Sequence, residues 1–362
     1  MKRADDMDTT KKYILVKDYI TDKIAGKEFL PSEKIPSESE LSSILGVSNI
    51  TVRRALSDLV NEKVIYREKG KGSFVSGQIN KRISNHLVSI ILATQDFNDS
   101  SYLKIIRGSQ NRLAESGYAL IVEWARGDIQ SQHEVIEKLL ERKIDGLLLY
   151  PFHPEEELSI YLKIERNHLP YVLLDRYSNK HRSCYVGCNN YGGVYEATSF
   201  LLNKNHKKLK FISFDINLNS EQERYSGFSD ALKGANLPVD QNSLIFEGEL
   251  DYIKLAESIK KHEVTALCCC NDKIAVKVMK RLLSLGVEIP KEVSLFGFDD
   301  ELAAQTAPVG LSTVRQSFET IGAYAADLLL RHISHEDDSY NTQIRVGTEL
   351  VLRDSVAENI WA

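Results

Sequence analysis

The stretch "LGVSNITVRRALSDLV", Leu45 to Val60, decides how the first part of this chain folds. Val52, Ala55, Leu56 and Leu59 recur at steps of three and four, so they share one face of a helix. Ile50, Arg53, Arg54 and Ser57 point the other way, and Asn49 lies in the first turn. Ser48 precedes that turn, where its hydroxyl can accept from the amide of Thr51 or a neighbour and cap the helix. Alone, the stretch supports two readings: a charged face that is merely solvated, or a helix built to lie in a DNA groove. Its surroundings choose.

Upstream, "YILVKDYITDKIAGKEF" places Val16, Tyr19, Ile20 and Ile24 at helical spacing, giving a first helix that ends near Gly26. Pro36 then introduces Ser37-Glu38-Ser39-Glu40, a Ser-x-x-Glu capping box that opens a short second helix. Gly46 follows that helix where a left-handed residue is wanted, and the quoted helix begins within two residues. Helix, glycine turn, helix is the geometry that presents a second helix outward. Downstream, "NEKVIYREKGKGSFVSG" supplies two short strands, Val64–Arg67 and Ser73–Val75, with Lys69-Gly70-Lys71-Gly72 at the tip. Lysines interleaved with glycines give cationic reach with little bulk, as a wing beside a duplex needs. The tip is no phosphate loop, because it lacks the G-x-x-x-x-G-K-[ST] spacing and no helix follows.

"KIPSESELSSILGVSNITVRRALSDLVNEKVIYREKGKGSFV" resembles the winged helix-turn-helix domain of the GntR family of bacterial regulators, over roughly residues 10–76. The resemblance implies a DNA-binding domain, normally dimeric on a palindromic operator. It places Ser37 and Glu38 near phosphates and makes Ser48 and Thr51 phosphate contacts or caps. Arg53, with Arg54 beside it, reaches base edges or phosphate, and the tip Lys69, Gly70, Lys71 and Gly72 enters the minor groove. One position departs from the family. Where relatives usually carry a guanine-reading arginine after "GVS", this chain has Asn49. Asparagine suits adenine N6 and N7, so the operator is expected to carry A·T where relatives read G·C; the alternative is that Asn49 only caps or touches phosphate.

Composition agrees with this division of labour. The chain has 362 residues, too many for one ordinary core, with 43% hydrophobic and 27% charged side chains. Net charge is −5, yet residues 1–80 hold 14 Lys and Arg against 12 Asp and Glu, while the remaining 282 hold 32 against 39. The excess of positive charge therefore lies where a polyanion would be met. No apolar run approaches the ~18–20 residues of a membrane span. The polar start "MKRADDMDTTKK" is not a secretory signal, so a cytoplasmic protein is expected. Cys184 and Cys188 are separated by three residues, and Cys268, Cys269 and Cys270 are consecutive; neither has zinc-site spacing, and structural cysteines are expected. No metal or cofactor is implied.

From "HLVSIILATQ" onward, apolar runs alternate with amphipathic helices. The strands are "LVSIILA", "YALIVEW", "DGLLLY", "PYVLLD", "LKFISF", "SLIFEG", "TALCCC" and "EVSLFGF"; helices include Tyr102–Ser116, Ser131–Arg142, Tyr191–Asn205, Glu221–Gly234 and Lys273–Leu285. This is an α/β pattern with parallel sheets covered on both faces. So many units fit either a barrel or two lobes, and periodicity does not choose. Polar residues gather at the strand ends: Gln95, Asp96 and Asn98; Trp124 and Arg126; Tyr150; Asp175 and Arg176; Asn271 and Asp272; Asp299 and Asp300. Ligands bind beyond the carboxyl ends of strands in open α/β sheets, and carboxylates, amides, arginines and aromatics together suit a sugar.

"IDGLLLYP", "PYVLLDR", "SEQERYSGFSDAL" and "ALCCCNDKIAVKVMKRLLSLGVEIPKEVSLFGFDDELAAQTAPVGLSTVRQSFETIGAYAADLLL" resemble the LacI family effector domain over about 86–354. That resemblance implies the periplasmic-binding-protein-like fold: two Rossmann-like lobes joined by three crossovers, with the ligand between them. It implies that Asp175, Arg224, Asn271, Asp299 and Gln316 bind effector, with Gln95, Asp96, Tyr102 and Tyr150 at the rim. The family typically has aspartate where this chain has Asn189, which leaves a role for that position open. Residues 77–85, "GQINKRISN", form the expected linker. A GntR-type reader on a LacI-type sensor resembles the arabinose-repressor-like group of regulators.

The expectation is a homodimeric, DNA-binding transcription regulator, a repressor released from its operator by a monosaccharide, pentoses and deoxyhexoses first. Its alternatives are an activator or a response to a sugar phosphate or purine, since Arg224 also suits an anion. A transport binding protein would need export and no DNA reader. An enzyme would need a catalytic set, and adjacent Asp299 and Asp300 alternate in direction, unlike a glycosidase pair.

Overall fold

The computed structural model describes residues 2–26, 28–61, 64–76, 85–94, 99–214, 217–240, 242–334 and 341–361. They belong to two compact units, Met1–Ser84 and Asn85–Ala362. Apart from Asn85, the expected linker lies outside the described residues, as do Gln95, Asp96 and Asn98.

In the first unit, helices α1 (Lys2–Ala25), α2 (Glu38–Leu45) and α3 (Asn49–Asn61) precede a hairpin of β1 (Ile65–Glu68) and β2 (Gly72–Val75). The capping box closes both ways: the amide of Glu40 donates to Ser37 Oγ at 3.3 Å, and the amide of Ser37 donates to Glu40 Oε2 at 2.7 Å. Gly46 ends α2 at φ +64°, a conformation that penalises a Cβ. The turn thus stops one helix and aims the next. Val52, Ala55, Leu56 and Leu59 are buried against Val16, Ile20 and Leu41, while Ile50 on the opposite face is 80% exposed. The strands pair antiparallel, Ile65 opposite Val75 and Glu68 opposite Gly72; the first lies one residue later than expected, and the second starts one residue earlier.

The second unit holds two six-stranded sheets. The first lobe builds its sheet from β3 (Leu87–Ala93), β4 (Ala119–Ala125), β5 (Gly146–Tyr150), β6 (Tyr171–Leu174) and β7 (Tyr185–Cys188), with α4 (Ser100–Glu115), α5 (Ile129–Glu141) and α6 (Leu158–Arg166) between them. The second lobe uses α7 (Asn190–Asn203), β8 (Leu209–Ser213), α8 (Asn219–Gly234), β9 (Leu244–Phe246), α9 (Tyr252–Lys260), β10 (Ala266–Cys269), α10 (Asp272–Ser284), β11 (Ser294–Asp299), α11 (Leu302–Gln305) and β12 (Ser312–Gln316). The chain then returns to the first lobe as α12 (Phe318–Ile333) and β13 (Gln343–Val346), and crosses once more to β14 (Thr348–Val351).

Strand order is β13-β7-β6-β5-β3-β4 in one sheet and β14-β12-β11-β10-β8-β9 in the other; every pairing is parallel except β12 with β14. Two lobes, not a barrel, are formed. Their three crossings, at residues 188–190, 316–318 and 346–348, are each two peptide bonds long. Central strands β3, β5, β6, β10 and β11 are buried almost throughout, but β4 and β9 are half-buried because each has a neighbour on one side only. Trp124 lies inside β4, while Tyr150 ends β5 and Asp299 ends β11, so none of the three follows its strand as the sequence suggested. All five cysteines are buried and outside any disulfide, as expected of structural residues. Among the described residues no helix is long and apolar enough to cross a membrane, and no cluster of His, Cys, Asp or Glu could hold a metal ion.

Candidate functional site

The head presents one polar face. Ser48 Oγ accepts from the amide of Thr51 at 3.2 Å and lies 2.8 Å from the Thr51 hydroxyl. Thr51 is buried, so it supports the start of α3 while exposed Asn49 leads it. Ser37 is committed to its capping box, its hydroxyl donating to Glu40 Oε2 at 2.7 Å. Arg53 and Arg54 leave α3 in different directions. The Nε of Arg53 donates to Glu38 Oε2 at 3.0 Å, whereas the Arg54 guanidinium lies over the ring of Tyr13, 5.3 Å from its centroid. Lys69, Gly70, Lys71 and Gly72 form the exposed hairpin tip, with Gly70 at φ +83° and Gly72 at φ +121°. Lys71 pairs with Glu68 at 2.9 Å. No local pattern pointed to Arg67, whose Nη2 donates to the other oxygen of Glu38 at 3.2 Å.

In the second unit Tyr102, Tyr150, Asp175, Arg224, Asn271, Asp299 and Gln316 all line one cleft of about 190 Å³ between the lobes. From the first lobe, Tyr150 donates to Asp175 Oδ2 at 2.6 Å and meets Tyr102 edge-on, ring centroids 5.2 Å apart. Burial pushes the Tyr150 phenol well above its usual range, so it stays a donor. From the second lobe, Gln316 Nε2 donates to Asp299 Oδ1 at 2.6 Å. Both aspartates have left-handed backbones, Asp175 at φ +63° and Asp299 at φ +116°. Such conformations cost about 1–3 kcal/mol each and persist where the surroundings enforce them, as the Tyr185 hydroxyl does by donating to the Asp175 carbonyl at 3.1 Å. Asp300 points elsewhere, to Arg315 at 2.8 Å and Arg353 at 2.6 Å, so the adjacent pair does alternate in direction.

Arg224 is the fixed point. Its Nε donates to Asn190 Oδ1 at 2.8 Å, its Nη1 to the Cys270 carbonyl at 2.7 Å, and its guanidinium carbon stands 4.0 Å from the Phe298 ring centroid. Glu221, one helical turn earlier, lies 3.5 Å away and Asp299 3.8 Å. Burial raises both carboxyls above their ordinary range and Arg224 opposes it; although burial itself disfavours the guanidinium's charge, Glu221 and then Asp299 hold it firmly protonated. Asn189 has a structural role, capping α7 by accepting from the amide of Gly192 at 3.0 Å. Asn271 likewise caps α10, its Oδ1 accepting from Ile274 at 2.9 Å.

Sequence reasoning missed Glu221, Phe214, Lys273 and Glu301 in the cleft wall, and left Arg176 as a strand-end residue only. Glu221 had a signal, its three-residue spacing from Arg224 on one helix. Lys273 had none, because it pairs at 2.7 Å with Asp99, 174 positions away in the other lobe. Asp99 also shares a hydrogen bond with Glu301. Burial, and then that neighbouring carboxylate, raise Glu301 to about 8, while Asp99 is held below its usual value by its hydrogen bonds to Glu301 and Lys273. Among the described residues, Gln316 Oε1 and Arg176 Nε in the cleft are buried without a hydrogen-bond partner.

A wing-bearing helix-turn-helix and a two-lobed cleft on one chain are the two parts of a transcription regulator with its own sensor. Residues 12–75 match the gntR family of bacterial regulatory proteins, and residues 198–356 match the periplasmic binding protein-like domain. Along 96% of its length the chain is 28% identical to an arabinose metabolism transcriptional repressor from Halalkalibacterium halodurans, covering 97% of that protein. It is also 28% identical over 97% of its length to the protein of the same name from Geobacillus stearothermophilus, covering 99% of it. Among solved structures, the transcriptional regulator CelR in complex with cellobiose superposes with a TM-score of 0.66 at 20% identity, over 89% of this chain and 100% of that one. At that identity the likeness concerns the fold.

Proposed function

We propose that this protein is a cytoplasmic, homodimeric repressor that leaves its operator when a neutral monosaccharide enters the cleft. Its functional parts are residues 10–76 as reader, 77–85 as linker and 86–354 as sensor and dimerisation domain. Asn49, Arg53 and the Lys69–Gly72 tip approach DNA, with Ser37, Glu38, Ser48, Thr51 and Arg54 shaping that face. Tyr102, Tyr150, Asp175, Arg224, Asn271, Asp299 and Gln316 hold the effector.

The carrying observation is how Arg224 is used. Two of its nitrogens are committed to Asn190 and Cys270, and two carboxylates already balance its charge. A phosphate or carboxylate ligand would meet Glu221, Asp299 and Asp175 in the same cleft, where each cation already faces a carboxylate: Arg224 at 3.5 Å, Arg176 at 3.8 Å and Lys273 at 2.7 Å. Hydroxyls suit it better: they donate to the carboxylates and to Gln316 Oε1, and accept from Arg176 Nε and Arg224. The aromatic rings of Tyr102 and Tyr150 supply an apolar wall. At about 190 Å³ the cleft is smaller than the ~300–1,000 Å³ usual for small-molecule sites, which favours one sugar ring over two.

The test is a thermal-shift screen of the purified protein against pentoses, hexoses, deoxyhexoses, sugar phosphates and purines, with Arg224→Ala as control. A ligand at ~100 times its dissociation constant stabilises the fold by about 2.7 kcal/mol, a clear shift. A neutral sugar should shift the wild type and leave Arg224→Ala unmoved. A response to sugar phosphates or purines alone would overturn this assignment while leaving the DNA-reading head intact.

A further inference from the structure

Glu38 raises a problem that the rest of the head answers. It sits at the first position of α2, on the edge of the polar face, and a carboxylate there opposes any approaching phosphate. It also holds Arg53, the exposed arginine of α3 best placed to reach DNA, at 3.0 Å. If Arg53 left for a phosphate or a base edge, it would strand a negative charge beside a polyanion. Arg67 on β1 supplies what is missing: its Nη2 lies 3.2 Å from the second oxygen of the same carboxylate.

We infer that Arg67 is a positioning residue of the DNA interface: by keeping Glu38 neutralised from the wing side, it releases Arg53 to the nucleic acid. The inference rests on the head being the DNA reader. The trio spans three elements, α2, α3 and β1, and carries one net positive charge whichever arginine Glu38 keeps. Fold stability is not its purpose. Both arginines are exposed, Arg53 66% and Arg67 41%, around a half-buried Glu38, and ion pairs so placed contribute little to stability.

The experiment compares the full-length wild type with Arg67→Ala, Glu38→Gln and the double variant, on a fluorescent 30-base-pair duplex of mixed sequence across a potassium chloride series. One stranded charge ~6 Å from a phosphate, in a dielectric of ~40, weakens binding about tenfold. Arg67→Ala should show that loss at low salt, and the loss should shrink as salt screens it. Adding Glu38→Gln should restore affinity to that of Glu38→Gln alone, because no charge is left to neutralise. All four proteins should melt together.

Arg67→Ala binding like the wild type would overturn the inference. So would a loss that Glu38→Gln does not repair, which would make Arg67 a phosphate contact itself, or one independent of salt and accompanied by a lower melting temperature, which would make it structural. A wild type that fails to bind the duplex at low salt would instead remove the DNA-reading assignment, and the inference with it.

Discussion

Asn49 occupies the first position of α3, exposed, directly after the capped turn. Its amide is a bidentate match for adenine, and arginine at the same place is a bidentate match for guanine. Binding-site selection with the wild type should therefore return A·T at one position of each half-site, and Asn49→Arg should move that position to G·C, a discrimination of about 1–3 kcal/mol. Guanine selected by both proteins would show that Asn49 does not read the base. Legibility at this scale depends on sequence separation. The Ser37–Glu40 capping box and the Gly46 turn could be read from neighbours three to nine residues apart. The bond from Arg67 to Glu38 spans 29 positions and that from Lys273 to Asp99 spans 174, and no local pattern encodes either.

Eight of the sensor strands stand out as apolar runs because both faces of a parallel strand are covered; four others do not. "YVGC" in β7 is buried but only four residues long, and it follows a polar loop. β13 and β14 lie at sheet edges and have no buried residue, and β12 carries exposed Arg315 beside buried Gln316. Helix packing was equally hidden. Helices α4 and α12 meet through glycine: a Cβ on Gly108 would stand 1.9 Å from the Glu319 carbonyl oxygen, and one on Gly322 would stand 2.2 Å from that of Ile105. Backbone, not a flexible side chain, blocks each site, so the helices must separate to admit a methyl group. Gly108→Ala is expected to lower the stability of the sensor by at least about 1–3 kcal/mol, and Gly322→Ala likewise. Urea unfolding followed by circular dichroism measures this, and an unchanged midpoint for both would contradict the close packing.

Over the whole molecule, burial of acids makes stability depend on pH in an unusual direction. Glu301 is raised from an ordinary 4.5 to about 8 by burial and by Asp99; Asp272 and Glu157, both chiefly through burial, are raised to about 7. At these three acids the folded chain binds more protons than the unfolded chain between pH ~4.5 and ~8, so stability falls as pH rises through that window. Their effect outweighs the opposite contribution of His206, which burial lowers. Asp99 and Asp300, both lowered, matter only in more acidic solution. The melting temperature should decline from pH 5.5 to pH 8.5, and less steeply in Glu301→Gln, which keeps a donor toward Asp99 without a titrating proton. A rise over that range would reject this account. The three short crossings between the lobes have another consequence. Because α12 and β13 return to the first sheet after the second is nearly complete, neither lobe is a continuous length of chain. A break or a premature stop anywhere between β7 and β13 leaves both halves unfinished, whereas the reader is one unbroken segment and can be exchanged at a single joint. A chimera that joins another head at the linker should sense the same effector, and no transplant of a single lobe by one cut can do so.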